Sequence, residues 1–321
     1  MTKRMLIWTV VAILFVLPAH QAFGQDRYPN KPISLVVPWP AGAPGDLATR
    51  IVGDKWSEFL GQPVIVQNKP GAAGAIGSRF VARSNPDGYT LLMANDTSFV
   101  SAPLLNKDAG YDLNSFRLLF NFSKMVMFVC VKGDSRWKTL NDLFTEARNN
   151  PGKLQYSMMQ LSGSDIAAQM LFKAAGVKFT PLPFDSSPQL LTALAGGNAD
   201  LSVAWGLGGL GKSGLIRPLA TSNDSRLPDY PNVPTLKELG YEIKYSMLEL
   251  GISGPAGLPE NVVSKLTDAY DKVRAKYANE IKEKLMKLEQ YPTNTDGNAG
   301  MQRYREVEKV FREFFGDKAV K

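Results

Sequence analysis

The chain has 321 residues, of which 44% are hydrophobic and 21% charged, a composition typical of globular proteins and a length sufficient for two lobes. It contains one cysteine and one histidine, so an intramolecular disulfide and a metal site built from several such ligands are excluded. Its net charge of +7 comes without basic runs or interleaved aromatic residues, and nucleic-acid binding is not expected.

The first 24 residues have the three-part pattern of a secretory signal peptide. Two basic residues precede an apolar run over 5–17, which is shorter than the roughly 20 residues that a membrane-spanning helix needs. We expect cleavage after Gly24, which leaves 35 basic and 30 acidic side chains and a net charge of +5. The exported protein then lacks His20, the single histidine. Without it a serine–histidine–aspartate triad or a cysteine–histidine pair cannot form, and no enzymatic activity is expected.

The first third of the exported chain alternates short apolar runs with amphipathic segments, separated by glycine and proline. Asp46 is predicted to be the N-cap of the first helix, which ends near Gly61. Strands are predicted over 32–38, 63–67 and 89–94, and helices over 46–60 and 75–84. Such alternation predicts an α/β unit with a mostly parallel sheet.

A second α/β unit and a helical end follow. Strands are predicted over 125–131, 155–159, 181–184, 199–205, 215–220 and 246–254, and helices over 140–149, 164–175, 187–195, 260–289 and 298–315. We expect two lobes, with 25–124 and 246–321 in the first and 125–245 in the second. The chain then crosses the hinge twice, which lets the lobes close on a ligand.

The loop after the first strand carries the strongest signal for binding. A strand that ends in a glycine loop and is followed by a helix leaves free backbone N–H groups at the helix N-terminus, where an anion is favoured. Trp39 supplies an apolar wall in this interpretation; a tight turn with Trp39 as packing explains the loop equally well. The candidate residues here are Trp39, Pro40, Ala41, Gly42, Ala43 and Asp46.

The loop before the helix at 164–175, in the second unit, likewise leaves free backbone N–H groups at a helix N-terminus. Its serines either donate to a carboxylate or simply cap the helix, and capping is the favoured interpretation of the loop taken alone. The candidate residues are Leu161, Ser162, Gly163, Ser164 and Asp165. Two such helix N-termini that face each other across a cleft bind an anion without an arginine.

Three further features lie at strand ends. Asn95 and Thr97 offer polar side chains after the third strand, with an ordinary turn as the alternative. Trp205 ends a late strand and is either a second wall or a simple aromatic at a strand end. Met158 and Met159 are expected to fill the core, with the cavity wall as the lesser alternative.

One motif suggests a different function. Residues 206–213 match the formula of a phosphate-binding loop, GxxxxGK(S/T). That loop must start a helix, whose N-terminus holds the phosphate. Gly214 and Pro218 leave little room for such a helix, so we interpret the segment as a flexible rim loop.

At these loops the sequence resembles a known family, the extracytoplasmic solute receptors of tripartite tricarboxylate transporters, also called the Bug family. The resemblance runs from residue 28 to the C-terminal helices. It is carried by VVPWPAG at 36–42 with Asp46, NKPGA at 68–72, PDGYTL at 86–91, NPGKL at 150–154 and PAG at 255–257.

The resemblance implies a periplasmic two-lobed binding protein of type II, which delivers small carboxylates to a membrane permease. It implies a ligand held between the loops at 39–46 and 161–165, largely by backbone groups and water. No cofactor is implied. A binding protein that signals to a membrane sensor kinase shares the same pocket and stays an alternative.

The sequence departs from the family pattern in three places. Pro44 stiffens a loop that usually continues Ala-Thr after a pair of glycines, and Ile166 stands where a histidine is common. Ala204, with Trp205 beside it, stands where an aspartate is common. The predicted pocket is therefore more apolar than usual. We expect a ligand with a substantial apolar or aromatic part rather than a bare dicarboxylate or an amino acid.

Overall fold

A computed structural model describes residues 28–160 and 162–316. The predicted cleavage site after Gly24 and the candidate Leu161 lie outside these residues. The strands are β1 (Ile33–Val37), β2 (Val64–Asn68), β3 (Thr90–Asn95), β4 (Phe116–Lys132), β5 (Gln155–Met158), β6 (Thr180–Pro183), β7 (Leu201–Trp205), β8 (Ile216–Thr221), β9 (Met247–Pro255) and β10 (Gln290–Asp296). The α-helices are α1 (Pro44–Leu60), α2 (Ala75–Ala82), α3 (Ala102–Leu105), α4 (Leu140–Asn149), α5 (Gly163–Ala175), α6 (Ser187–Ala195), α7 (Glu260–Lys287) and α8 (Gly297–Phe315).

The described strands form one continuous sheet with two halves. In the first half, β1 pairs in parallel with β2 and β3, and β9 pairs antiparallel to β3. In the second half, β5 pairs in parallel with β6 and β7. We call these halves, with their helices, lobe 1 and lobe 2. The mixed α/β architecture with two parallel units is the one that the sequence predicts.

Strand β4 joins the two halves. Its residues from Phe116 to Val126 pair with β9, and those from Met127 to Lys132 pair with β7 and β8. Strand β10, which follows α7, also pairs with the first part of β4. The C-terminal segment therefore returns to lobe 1 after the chain has passed through lobe 2.

Two strand predictions need correction. Strand β4 begins at Phe116, whereas the sequence predicts a strand only from 125. The buried polar residues Asn121 and Ser123 interrupt the apolar run, so periodicity alone does not find this part. Strand β10 was missed because it contains Pro292 and alternates half-buried with exposed residues, which is typical of an edge strand.

The start of α1 also differs from the prediction. The helix begins at Pro44, and its N-cap is Ala43, which makes no side-chain cap. Asp46, predicted as N-cap, lies in the first turn and is buried. Proline at the first helical position presets the backbone angle and needs no N–H partner, so the N-cap lies three residues earlier than predicted, at Ala43 instead of Asp46.

The phosphate-binding interpretation of 206–213 is excluded. Strand β8 follows this segment directly in the described chain, with no helix between them. The lysine of the motif, Lys212, pairs with Asp229 at 3.0 Å. The segment is a loop that starts no helix, as the presence of Gly214 and Pro218 suggested, and its position at the rim stays a prediction.

The described residues include no helix that is both long enough and apolar enough to cross a membrane. Among the same residues, no group of three or more histidine, cysteine, aspartate or glutamate side chains is placed to hold a metal ion. The single cysteine, Cys130, is buried in β4, and burial raises the pKa of its thiol.

A buried polar network lies where the lobes meet. Arg303 of α8 donates from its two Nη atoms to the carboxylate of Asp96 at 2.6 and 3.2 Å, and its Nε lies 3.6 Å from Glu249. Tyr245 donates to the same Asp96 at 3.3 Å, and Asn121 donates to Glu249. Asp96 is fully buried. The network fastens α8 to the residues that follow β3 and to β9.

Candidate ligand-binding site

A cavity of about 280 Å³ opens between the lobes, close to the lower end of the range of roughly 300–1,000 Å³ that is usual for small-molecule sites. It lies at the carboxyl ends of the parallel strands β1, β3, β5, β6 and β7, where ligands bind in open α/β sheets. Ten residues predicted from sequence line it: Trp39, Pro40, Ala41, Gly42, Ala43, Asn95, Thr97, Ser162, Ser164 and Trp205.

Four predicted site residues do not line the cavity. They are Asp46, Gly163, Asp165 and Ala204. Each is buried, and a direct contact of any of them with a ligand stays a prediction.

Asp46 holds the shape of the first loop. Its Oδ2 accepts from the Gly42 amide at 2.9 Å, and its Oδ1 accepts from Asn68 at 2.8 Å. The same Asn68 amide group donates to the Trp39 carbonyl at 2.9 Å, and Arg50 donates to both carboxylate oxygens. Burial by itself raises the pKa of Asp46, but hydrogen bonds from Arg50, Gly42 and Asn68 outweigh it and lower the pKa below its ordinary value.

We expect Asp46→Asn to destabilise the fold by about 2 kcal/mol, because one of its acceptors becomes a donor that faces Asn68 and Arg50. Ligand affinity is expected to fall about tenfold as the loop loosens. Urea denaturation and calorimetric titration measure the two effects.

The contribution of Asp46 to stability depends on pH. Because the pKa of Asp46 is lowered on folding, its stabilisation is present above the unfolded pKa of about 3.9 and is lost as the pH falls through the folded pKa. The difference in free energy of unfolding between the wild type and Asp46→Asn is therefore expected to be constant between pH 5 and 8.

The matched control is Asp54→Asn, on an exposed position of the same helix. It is expected to change stability by less than about 0.5 kcal/mol. Equal stability and affinity of the two variants would show that Asp46 does not shape the loop.

The start of α5 combines capping with a contact between the lobes. Ser162 accepts from the Asp165 amide at 3.3 Å, so the capping interpretation is confirmed, although Ser162 and Ser164 also line the cavity. The Gly163 amide donates to Oγ1 of Thr97 in lobe 1 at 3.1 Å. Asp165 is held by Tyr156, whose hydroxyl donates to it at 2.9 Å. One helix N–H is therefore used for contact between lobes.

Asn95 has both of the roles considered for it. Its Oδ1 accepts from the Ser98 amide at 2.9 Å, which is the turn alternative, and the residue also lines the cavity. Of the two roles considered for the methionines, each residue has one. Met158 is buried in the core, whereas Met159 lines the cavity.

Sequence reasoning missed a third helix N-terminus at the cavity. Residues 185–188 join β6 to α6 and line the cavity. The N-cap of α6 is Ser186, which makes no side-chain cap, and Pro188 lies in the first turn. Here too a strand is followed by a polar loop and a helix, as at the two loops predicted to bind the ligand. The same sequence pattern therefore finds this loop. Hydrophobic wall residues were also missed: Met125, Leu248 and Leu250.

The cavity offers neutral hydrogen-bond donors and almost no charge. Asp185 is the one charged side chain among the described residues that line it, and it is exposed at the rim. The helices α1, α5 and α6 all begin there, and each leaves backbone amides without an intrahelical partner. Their dipoles favour an anion at this point.

Two tryptophans of the cavity lining carry indole N–H groups that the described protein does not use. The Nε1 atoms of Trp39 and Trp205 are buried and have no hydrogen-bond partner within the described residues. Both tryptophans line the cavity, one from each lobe. In contrast, Trp56 donates to the Leu266 carbonyl at 3.1 Å and Trp137 to Glu146 at 2.7 Å.

Comparison with known proteins identifies the family. The family model described as "Tripartite tricarboxylate transporter family receptor" matches residues 48–310. The chain belongs to this receptor family. Members of the family are periplasmic substrate-binding receptors for small carboxylates and not enzymes, so this receptor is a binding protein with the fold and the general function that the sequence predicts.

Three relatives illustrate the similarity of this receptor to known proteins. It is 34% identical over 260 residues to the "UPF0065 protein in gbd 5'region" of Cupriavidus necator, which covers 77% of this chain and 76% of the relative. The structure of the periplasmic binding protein BugD is 27% identical, with a TM-score of 0.80 and coverage of 91% and 98%. The structure of Rpa4515 from R. palustris with adipate has a TM-score of 0.81 with the same coverage, and at 24% identity it shows the fold alone.

Proposed function

We propose that this receptor captures a small acid with one carboxylate and an apolar or aromatic body, and delivers it to the membrane permease of a tripartite tricarboxylate transporter. The observation that carries the proposal is the cavity itself. Three helix N-termini and two indole N–H groups meet around a space that lacks a lysine or arginine in its described lining.

The donors support a carboxylate. Gly45 and Asp46 present amides at the start of α1 because Ala43 provides no side-chain cap. Ser162 and Ser164 face them from lobe 2, with their hydroxyl groups 3.0 Å apart. A carboxylate between these loops accepts hydrogen bonds from both lobes, and charge-assisted bonds of this kind are about twice as strong as neutral ones.

The walls support an apolar body. Met125, Met159, Leu248, Leu250 and the rings of the two tryptophans line the rest of the cavity. Burial of apolar ligand surface against them contributes roughly 25 cal/mol per Å² before the entropy cost of binding. Methionine and indole rings also pack well against a flat aromatic group.

The charge distribution argues for one carboxylate rather than two. A second carboxylate finds no lysine or arginine in the described lining, and near the start of α6 it meets Asp185, whose negative charge repels it. Burial of a charge without a partner is costly. A dicarboxylate such as succinate therefore binds less tightly than a monoacid of similar size with an apolar body.

A thermal-shift and calorimetry panel tests the proposal. Benzoate, phenylacetate and 3-phenylpropionate are compared with succinate, malate, glutamate and adipate at equal concentrations. A ligand at 100 times its dissociation constant is expected to stabilise the protein by about 2.7 kcal/mol, and we expect this effect from at least one of the three aromatic acids. Tighter binding of succinate or glutamate than of every aromatic acid would contradict the proposed ligand class.

Delivery to a permease is tested in cells. Deletion of the receptor is expected to abolish uptake of the best radiolabelled acid of the panel, and re-expression restores it. If uptake is unchanged in the deletion strain, the transport role is wrong, even where the purified protein binds the acid.

A further inference from the structure

The structure assigns to the indole N–H groups of Trp39 and Trp205 a direct part in binding: each donates a hydrogen bond to an oxygen of the bound acid, one from each lobe. This inference rests on the proposed function, because it requires an oxygen-bearing ligand in the cavity. It adds two side-chain donors to a site that otherwise relies on backbone amides and serine hydroxyls.

Each indole ring lies beside the start of one of the helices that begin at the cavity. Nε1 of Trp205 is 3.4 Å from the position that a Cβ atom on Gly163 would take, at the first residue of α5. In Trp39 the neighbouring ring carbon, Cδ1, is 3.9 Å from the corresponding position on Gly45, in the first turn of α1. Each of the two rings therefore lies next to the first turn of one helix that begins at the cavity.

The unpaired indole N–H groups affect the free energy of lobe closure. A buried N–H without an acceptor costs about 1–3 kcal/mol, and in this arrangement both Nε1 atoms are buried and unpaired within the described residues. Ligand oxygens that accept from them remove this penalty, whereas lobes that separate expose the N–H groups to water. Closure over an acceptor is thereby favoured relative to closure without one.

The other two described tryptophans serve as internal standards. Trp56 and Trp137 donate to protein acceptors and do not line the cavity. Their indole N–H groups have the same chemistry, and a ligand in the cavity leaves their hydrogen bonds unchanged. A measurement that resolves the individual indoles can therefore separate ligand contact from a general change in fold.

The experiment uses the exported protein with ¹⁵N-labelled tryptophan, titrated with phenylacetate, benzoate, succinate and adipate. With any of these that binds, we expect the indole N–H signals of Trp39 and Trp205 to move downfield, and those of Trp56 and Trp137 to stay in place. The variants Trp39→Phe and Trp205→Phe assign the signals and are each expected to weaken binding about tenfold, the effect of losing a hydrogen bond to a charged group. Trp137→Phe is the control and leaves the affinity unchanged.

The outcomes separate the two proposals. If the wild-type protein binds none of the four acids, the proposed function fails. If it binds one of them and the signals of Trp39 and Trp205 stay in place, the hydrogen bonds proposed here do not form. A loss of affinity in the two variants without movement of the wild-type signals would show that the rings act only as walls, and would also overturn the inference.

Discussion

Replacement of Arg303 by alanine is expected to lower the free energy of unfolding by about 3–5 kcal/mol, the usual cost of leaving a buried charge without its partner. Asp96 is fully buried, and Arg303 is the cation that pairs with it, at 2.6 Å. The same substitution removes the nearest cation from Glu249, which is also buried. Urea denaturation measures the effect.

Two variants sharpen this prediction. Arg305→Ala, on an exposed position of the same helix, is the control and is expected to cost less than about 0.5 kcal/mol. Asp96→Asn in the Arg303→Ala background removes the unpaired charge and is expected to restore part of the lost stability. A loss below about 1 kcal/mol in Arg303→Ala, or no recovery in the double variant, would show that this buried pair does not stabilise the fold.

The effect of Arg303→Ala depends on pH. Burial raises the pKa of Glu249 above its ordinary value, although Arg303 opposes the shift. A carboxyl whose pKa is raised on folding stabilises the fold fully below its unfolded pKa of about 4.3 and loses this contribution as the pH rises through the folded value. Loss of Arg303 raises the pKa further. The destabilisation by Arg303→Ala is therefore expected to be larger at pH 7 than at pH 5.

The second large effect is expected from Gly163→Ala, at the first residue of α5. A Cβ atom there would lie 2.6 Å from the hydroxyl oxygen of Tyr245, and 3.4 Å from both Thr97 Oγ1 and Trp205 Nε1. Tyr245 is itself buried, so the start of the helix must move and its bond to Thr97 is lost. We expect a cost of about 1–3 kcal/mol in stability and a loss of affinity of at least tenfold.

The control for this substitution is Gly53→Ala, inside α1. A Cβ atom there meets its nearest neighbour at 3.5 Å, an ordinary contact, and alanine favours a helix by up to about 1 kcal/mol over glycine. Gly53→Ala is therefore expected to be at least as stable as the wild type. Tyr245→Phe in the Gly163→Ala background removes the 2.6 Å contact and is expected to recover much of the affinity. Unchanged affinity in Gly163→Ala alone would show that this contact does not shape the site.

Tyr245 connects the two predictions. Its hydroxyl donates to Asp96 of the buried network, and the same oxygen limits the space at Gly163 beside the cavity. The ring also packs edge-on against Trp205, with centroids 5.7 Å apart. The network that Arg303 stabilises is thereby joined through one side chain to the lobe 2 wall of the cavity.

Most elements of the fold could be predicted because their signals are local. Gly61 ends α1 in the left-handed conformation, as expected for glycine after a helix. The fully apolar run of β1 indicates a buried parallel strand. The first part of β4 and strand β10 could not be found this way. Asn121 and Ser123 are tolerated inside β4 because Glu249 and Gln290, distant in sequence, pair with them.

The site could be predicted in part for the same reason. Glycine loops between strand and helix are visible in the sequence, and the loops at 39–46 and 162–165 both reach the cavity. The role of Asp46 was misjudged because its partner Asn68 is 22 residues away. The wall residues of β4 and β9 meet the loops only in three dimensions. The residue boundaries predicted for the two lobes stay predictions.

A crystal structure of the protein with the tightest acid of the panel tests the central claim most directly. We predict a carboxylate between the lobes, with its oxygens within about 3.2 Å of donors from both, namely the amides at the start of α1 and the serine hydroxyls or indole N–H groups facing them. A carboxylate that instead pairs with a lysine or arginine, or that lies outside this cavity, would contradict the claim.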